Sequence, residues 1–551
     1  MGGVDLKTTP GLPSQGNAMP DDLSKQARDL HLAGQLHEAE ACYRALVERD
    51  GPKATTLNDL GNLLVSLQRR EDAEHCYRHA LTLAPDFFEA HNNLGNLLRA
   101  RGQFKEAEAH FRHALRAAPD HPDICNNLAV LLGETHRIGE AEQIFLAVLH
   151  RHPDQLEALN NLGNLLKDTG RLAHAEAVYR RLLAKHPDHP DARWNMSLLW
   201  LLRGEYEKAW PYFESRFDPR RAEQRSLYPA LPSPRWQGGS LQGKTLLIWP
   251  EQGMGDEIQM ARFVSVVRKR FQPARIVLGC KAALQAVLCT TPGIDAITRA
   301  DAPPPPHDTW CFSGSLPYLC QATWTNLPNR LPYLGPLPER LAQWGPALQS
   351  IGGQDTLRVG LVWAGNRLHK NDAYRSLPSL ALLAPLWQVP GIAFVSLQHG
   401  APDDPAVREA LAPPPHQPLV HLGSALRDFG DTAAIVAGLD LVICVDTAIA
   451  HLAGALGKPC WVLLPHRGLD WRWGTQGQNS PWYAFVIRLF RQGPDGNWPT
   501  VIDALASALS QWRAEKRRYR PLLSALSEED IKIISAAIDA TQGSAPANES
   551  R

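Results

Sequence analysis

Shifted by 34 residues, the first part of the chain lies over itself. TTLNDLGNLLVSLQRREDAEHCYRHALTLAPDFF (55–88) is followed by EAHNNLGNLLRARGQFKEAEAHFRHALRAAPDHP (89–122), DICNNLAVLLGETHRIGEAEQIFLAVLHRHPDQL (123–156) and EALNNLGNLLKDTGRLAHAEAVYRRLLAKHPDHP (157–190), with weaker copies at 21–54 and 191–221. Self-similarity at a fixed period of this length leaves few folds open. Each copy is long enough for two amphipathic helices, which cannot bury their apolar face alone, so neighbours must stack into an α-solenoid.

The recurring N-L-G, A-x-x-x-Tyr/Phe, Ala-Leu and terminal Pro resemble the tetratricopeptide repeat, five to six copies over residues 21–221. One polar column runs through the register: Asp59, Asn93, Asn127, Asn161 and Asn195, each one position before the Leu of the first helix. These five share one face. Either they brace neighbouring turns, or they line the concave groove as an amide ladder. An Asn offers donor and acceptor together and so matches a peptide backbone without reading its sequence. O-GlcNAc transferase carries a similar ladder in its repeats, and that resemblance implies a polypeptide partner.

The totals narrow the classes. The 57 basic and 57 acidic side chains cancel, which gives no electrostatic reason to expect nucleic acid. Nine cysteines are scattered without a C-x-x-C pair, arguing against a zinc ribbon or a disulfide framework and for reduced thiols. Residues 1–20 lack an apolar signal region and read as a flexible leader. No run reaches the roughly 18 apolar residues of a membrane span, so a cytoplasmic protein without membrane insertion is expected. A closing helix is expected at 527–540 and a disordered tail at 541–551.

After a Pro- and Arg-rich linker, 222–243, helical spacing gives way to short apolar runs. TLLIWP (245–250) and RIVLGC (275–280) begin one set, within 244–350. LRVGLVWAGN (357–366), IAFVSLQ (392–398), LVHLG (419–423), LVICVD (441–446), CWVLLP (460–465) and VIRLFRQ (486–492) form a second, within 355–540. Alternating strands and helices predict an α/β region of two Rossmann-like halves with parallel sheets covered on both faces. Ligands in such sheets bind at the carboxyl ends of strands. That is where Asp446 and Thr447 fall, opening a helix whose exposed N–H groups suit an anion, with Ala448 next and His451 one turn along. A plain capping acid and a packed His are the structural alternative. A second cluster, Asn366, His369, Lys370 and Arg375, concentrates positive charge at the same sheet edge, as a nucleotide diphosphate requires. A solvated loop would explain it equally.

VDTAIAHLAGALGKP resembles the D-T-x-x-x-H motif of the heptosyltransferase-like glycosyltransferases, and EQGMGDEIQMARF their N-terminal Gly-Asp loop. GLVWAGNRLHKNDAYRSL and LDWRWGTQGQNSPWYAFVIRLFRQ resemble segments of bacterial proteins that fuse tetratricopeptide repeats to such a domain. The resemblance spans about residues 22–515 and implies the two-domain GT-B architecture, the 244–350 half on the acceptor side and the 355–540 half on the nucleotide-sugar side. It implies Asp256 as catalytic base, with Glu257 its adjacent alternative. Gly253, Gly255, Asn366, Lys370, Arg375, Asp446, Thr447, Ala448 and His451 would hold the donor. The expected function is inverting sugar transfer from a nucleotide sugar to Ser or Thr of a polypeptide, with flagellin a candidate client. A glycan- or lipid-directed transferase and a catalytically inactive scaffold are the rivals. No D-x-D motif lies in a suitable loop, so neither a metal nor another cofactor is expected. Trp471 and Trp473 could stack on a base or a sugar, or pack inside.

Overall fold

A computed structural model describes residues 20–221, 231–353, 355–367, 369, 371–413 and 419–524. The expected leader up to residue 19, linker residues 222–230, the helix at 527–540 and the tail at 541–551 lie outside the described residues, as does Lys370. The chain divides into two compact units near residue 187.

The first unit is a helical solenoid of five pairs: Pro20–Leu32 with Leu36–Asp50, Ala54–Ser66 with Arg70–Leu83, Phe88–Ala100 with Phe104–Ala117, Pro122–Glu134 with Ile138–Arg151, and Leu156–Asp168 with Leu172–Lys185. The period is visible in packing. Ala39, Ala73, Ala107, Ala141 and Ala175 are fully buried, and four residues on, Tyr43, Tyr77, Phe111, Phe145 and Tyr179 fill the space between helices. The Gly of N-L-G is there to admit that ring. A Cβ at Gly61, Gly95 or Gly163 would stand 2.5, 2.7 or 2.4 Å from the ring of Tyr77, Phe111 or Tyr179. The turn inside each pair needs a left-handed residue. Gly34, Gly102 and Gly170 supply it at φ near +75°, whereas Gln68 and His136 adopt +62° and +67° in the same register.

The second unit opens with a sixth pair, Pro190–Leu202 and Tyr206–Phe213, whose Ala209 and Phe213 continue the buried columns. Although in repeat register, this pair packs on the α/β region that follows. Trp210 Nε1 donates to Ala322 O at 2.9 Å, and its ring meets Trp471 at 5.8 Å. Tyr206 lies against Trp324 and Trp482 at 5.8 and 5.7 Å.

Two parallel sheets follow. The first, ordered β3-β2-β1-β4, comprises β1 (Thr245–Trp249), β2 (Arg275–Cys280), β3 (Ala296–Arg299) and β4 (Thr309–Phe312). The second, ordered β10-β9-β8-β5-β6-β7, comprises β5 (Leu357–Val362), β6 (Ile392–Ser396), β7 (Leu419–His421), β8 (Leu441–Val445), β9 (Cys460–Leu464) and β10 (Ile487–Arg491). Counted within its own half, the second sheet runs 3-2-1-4-5-6, the doubly wound order, and the first runs 3-2-1-4. Strands β8 and β9 are buried at every position because helices cover both faces. Val359, Leu361, Phe394, Ile443 and Leu463 form the core with Ile502, Leu505 and Leu509 of the helix Trp498–Ser524. The helix Pro338–Gln349, grouped by sequence with the first half, binds the second: Arg340 pairs with Asp428 and Asp431, and Trp344 Nε1 donates to Asp431 at 3.0 Å. Among the described residues no helix is long and apolar enough to cross a membrane.

Candidate active site

In each sheet the order reverses beside the first strand, and the crevice opens there at the strands' carboxyl ends. In the first half the chain leaves β1 through Glu251 and Gln252, the latter at φ +60°, and enters the helix Met254–Met260 with Gly253 as its cap. Asp256 Oδ2 accepts the Gly253 N–H at 2.7 Å, the reciprocal arm of an N-terminal capping box. A Cβ at Gly253 would stand 2.9 Å from that oxygen. At Gly255 a Cβ would stand 2.8 Å from His451 Cδ2 and 3.4 Å from the Ala448 Cα, so this glycine lets the two halves approach each other. Glu257 turns into its own half. Its carboxylate takes the Lys281 ammonium at 2.6 Å and the Lys281 N–H at 3.0 Å.

In the second half β8 ends at Val445. Asp446 and Thr447 follow, and Thr447, extended at φ −144°, caps the helix Ala448–Ala455 without a side-chain bond. Its Oγ1 is buried and has no hydrogen-bond partner among the described residues. Burial and the neighbouring Asp470 charge push the Asp446 carboxyl up to about 6, while the Trp473 indole and the Arg375 and Arg472 guanidinium groups oppose them. His451 is buried, shares a hydrogen bond at 3.0 Å with the Tyr483 hydroxyl, and stacks on Trp473 at 5.2 Å. Burial first, and the Arg472 charge second, bring its imidazole down to about 3, so it is neutral. Gly454 makes room for the Tyr483 ring, which a Cβ there would meet at 2.3 Å.

The loop after β5 closes on Asp372. Its Oδ1 accepts from Ser376 Oγ at 2.7 Å and pairs with Arg375 Nε at 3.4 Å, and Ser376 Oγ accepts the Gly365 N–H at 2.8 Å. The His369 N–H is donated to Asn366 O at 2.9 Å. Asn371 Nδ2 ties the loop to Gly468 O at 3.3 Å. The structure therefore gathers Asp256, Asp446, Thr447, Ala448, His451 and Arg375 around one cleft. Trp471 and Trp473 are both buried in packing.

Arg472 joins the two halves, and sequence reasoning passed over it between two more conspicuous Trp residues. It donates to Asp256 Oδ1, to Gln259 Oε1 at 2.6 Å, and to both oxygens of Asp470 at 3.0 and 2.9 Å. Arg262, also buried, crosses from the first half to Trp482 O at 2.6 Å and lies over the Tyr333 and Tyr483 rings at 4.8 and 4.6 Å. Both lie within segments that carry the resemblance, Arg262 in EQGMGDEIQMARF and Arg472 in LDWRWGTQGQNSPWYAFVIRLFRQ, yet neither stands out there as a site residue. Only the fold brings them to the cleft.

The first sheet's own crevice is filled. Arg216, just past the sixth helical pair, is 1% exposed and forks onto Glu251 at 2.6 and 3.0 Å. It also reaches Ser315 Oγ at 2.9 Å, after β4, and Glu214 at 2.6 Å. Among the described residues, no three His, Cys, Asp or Glu side chains are grouped to hold a metal ion.

In the first unit the central Asn residues of the polar column bond to Asn side chains of the preceding repeat that lie outside the column. Asn93 Nδ2 donates to Asn58 Oδ1 and Asn62 Oδ1 at 2.9 and 3.0 Å, Asn127 Nδ2 to Asn92 Oδ1 at 2.9 Å, and Asn161 Nδ2 to Asn126 Oδ1 at 3.0 Å. Asp59 lies 3.9 Å from Arg28, and burial raises its carboxyl above the ordinary range. Asn195 falls in the second unit. Each amide of the three central Asn residues thus braces the preceding repeat.

Residues 58–122 and 161–222 match one tetratricopeptide repeat family and 98–166 another. Residues 388–463, from the segment before β6 into β9 and including Asp446, Thr447 and His451, match glycosyltransferase family 9 (heptosyltransferase). Protein FlbA of Caulobacter vibrioides is 29% identical over 341 residues, 57% of this chain and 54% of FlbA, so the chain spans about half the length of that curated relative. Among solved structures, PilW, a type IV pilus biogenesis factor, is 19% identical over 38% of this chain and 99% of its own, at a TM-score of 0.34. YrrB, described as a TPR protein with an unusual peptide-binding site, is 24% identical over 32% and 91%, at 0.25. Segments that match tetratricopeptide repeats thus precede a segment, residues 388–463, that matches glycosyltransferase family 9 (heptosyltransferase).

Proposed function

We propose that the chain is a metal-independent, inverting GT-B glycosyltransferase that moves a sugar from a nucleotide diphosphate to a Ser or Thr hydroxyl of a polypeptide held by its repeats. The observation that carries this reading is the Asp256 carboxylate of the first half standing at the cleft, paired across it with Arg472 close to Asp446. Asp256 takes the acceptor's hydroxyl proton as the new C–O bond forms. The bond to the diphosphate breaks with its electron pair leaving on the phosphate oxygen. Asn366, Arg375 and Lys370 supply polar and cationic contacts for that leaving group. The amides that begin the helix Ala448–Ala455 supply N–H donors, which need no proton transfer. Glu257 is the weaker candidate for the base because Lys281 already holds both of its oxygens. Flagellin is the client that the resemblance to repeat-fused bacterial transferases suggests, and a cytoplasmic location accords with the scattered cysteines, which are free among the described residues.

Thermal-shift binding against CMP-, UDP-, GDP- and ADP-sugars, on wild type and Asp446→Ala, tests the donor site. The expected result is a shift with one nucleotide class that is lost in the variant. Asp256→Asn should keep the shift while transfer falls by about 10²- to 10⁴-fold. No shift with any donor, from folded protein, would replace the enzyme reading with a binding scaffold.

A further inference from the structure

Arg472 occupies a short 3-10 turn, Trp471–Trp473, and is 7% exposed. A guanidinium is a planar fork of five donors whose directions are fixed relative to one another. Here all three nitrogens of the fork are engaged. One edge meets Asp470, which accepts from the side chain and also from the Arg472 backbone N–H at 2.9 Å. Nε meets Gln259, the remaining nitrogen meets Asp256 Oδ1, and the Trp471 ring lies 4.3 Å from the guanidinium carbon. Asp256 is gripped at its other end by the Gly253 N–H. Each of its oxygens accepts one bond from the protein and keeps a second lone pair.

Resting on the reading of Asp256 as the base, we propose that Arg472 is a positioning residue that acts through Asp256, aiming its carboxylate into the cleft, with Asp470 and Gln259 holding the guanidinium in place. The arrangement differs from a simple packing pair because it spans both halves, so Asp256 is correctly aimed only when Gln259 and Asp470 share one cation. Burial lifts the Asp256 carboxyl above its ordinary range. Arg472 opposes that lift, while Asp470 and Glu251 add to it. Around Arg472 itself stand Asp256, Asp470 and Asp446, with His451 nearby. Removing the cation must therefore raise the Asp256 titration, and removing the Asp470 charge must lower it.

The test follows the Asp256 γ-carboxyl by ¹³C NMR in full-length protein labelled at aspartate, assigned by its loss in Asp256→Asn. Arg472→Gln should move its midpoint up by at least one pH unit, a tenfold change in proton affinity, and Asp470→Asn should move it down. Should Arg472→Gln fail to fold, Asp470→Asn carries the test with the opposite sign. Identical midpoints in wild type and the folded variants would overturn the proposal and leave Arg472 as packing. With an active donor, Arg472→Lys, which keeps charge but loses the fork, should lower kcat at unchanged donor KM. The NMR readout needs no sugar donor. Shifted midpoints in a chain that transfers nothing would defeat the proposed function alone, and flat midpoints in an active chain would defeat the role of Arg472 alone.

Discussion

Gln68 and His136 hold a left-handed backbone where Gly34, Gly102 and Gly170 hold the same conformation without a side chain. An L-residue there costs about 1–2 kcal/mol relative to its right-handed state. Gln68→Gly should therefore stabilise the first unit by about 1 kcal/mol, and Gly102→Ala should destabilise it similarly, since nothing lies within 4 Å of the added carbon. Urea melts of the two variants check both signs. At the cleft, Asp446 is lifted to about 6 from an unfolded value near 3.8. A carboxyl raised in the folded state favours folding below the unfolded value and loses that contribution as pH rises through the folded one. Asp446→Asn should thus raise the melting temperature at pH 7.5, by at most about 3 kcal/mol in free energy, and the gain should vanish below about pH 4. The motif made this Asp easy to find. What the motif could not convey is that its neighbours include Asp470, a charge of the same sign from a loop more than twenty residues away.

At the scale of elements, most of the second sheet was legible because its strands are runs of buried aliphatic residues, as in LVICV and CWVLL, cut off by polar residues or Pro. Strands β3 and β4 were not. Ala296–Arg299 and Thr309–Phe312 are four residues each, the first partly exposed and the second buried at three of its four positions, and the Pro-rich stretch between them masks any period. The end of the repeats was misleading in another way. The 34-residue register runs through Phe213, yet the sixth pair belongs energetically to the second unit through Trp210, Tyr206 and Arg216. A chain beginning at residue 188 should fold. One beginning at 221 should not, since it leaves Glu251 buried without its cation. Arg216→Ala in the full chain isolates the cause: an uncompensated buried charge costs about 3–5 kcal/mol. Adding Glu251→Gln should restore part of the loss, and circular dichroism melts of the single and double variants read the difference.

The whole chain combines two kinds of core that respond to different things. The first unit is a stack of near-identical helical pairs held by the Ala and aromatic columns and braced by Asn93, Asn127 and Asn161. The second is a pair of parallel sheets closed by the sixth pair, with the cleft residues inside it. Calorimetry of the full chain should resolve two transitions, because each unit has its own core. Gln68→Gly should move only the transition of the first unit, and Arg216→Ala only that of the second. A nucleotide sugar that binds beside Asp446 stabilises what it binds by about 2.7 kcal/mol at a hundredfold excess over Kd, and so should raise the second transition alone. A polypeptide client recognised by the amide column should raise the first. Asn127→Ala removes the bond to Asn92 and should lower that first transition by about 1 kcal/mol even with no client present. Client binding is then the additional shift measured above each variant's own baseline. If Asn127→Ala lowers the baseline but leaves the client-induced shift intact, the column braces the repeats and the client is held elsewhere on them. If the shift disappears as well, the same amides serve both tasks.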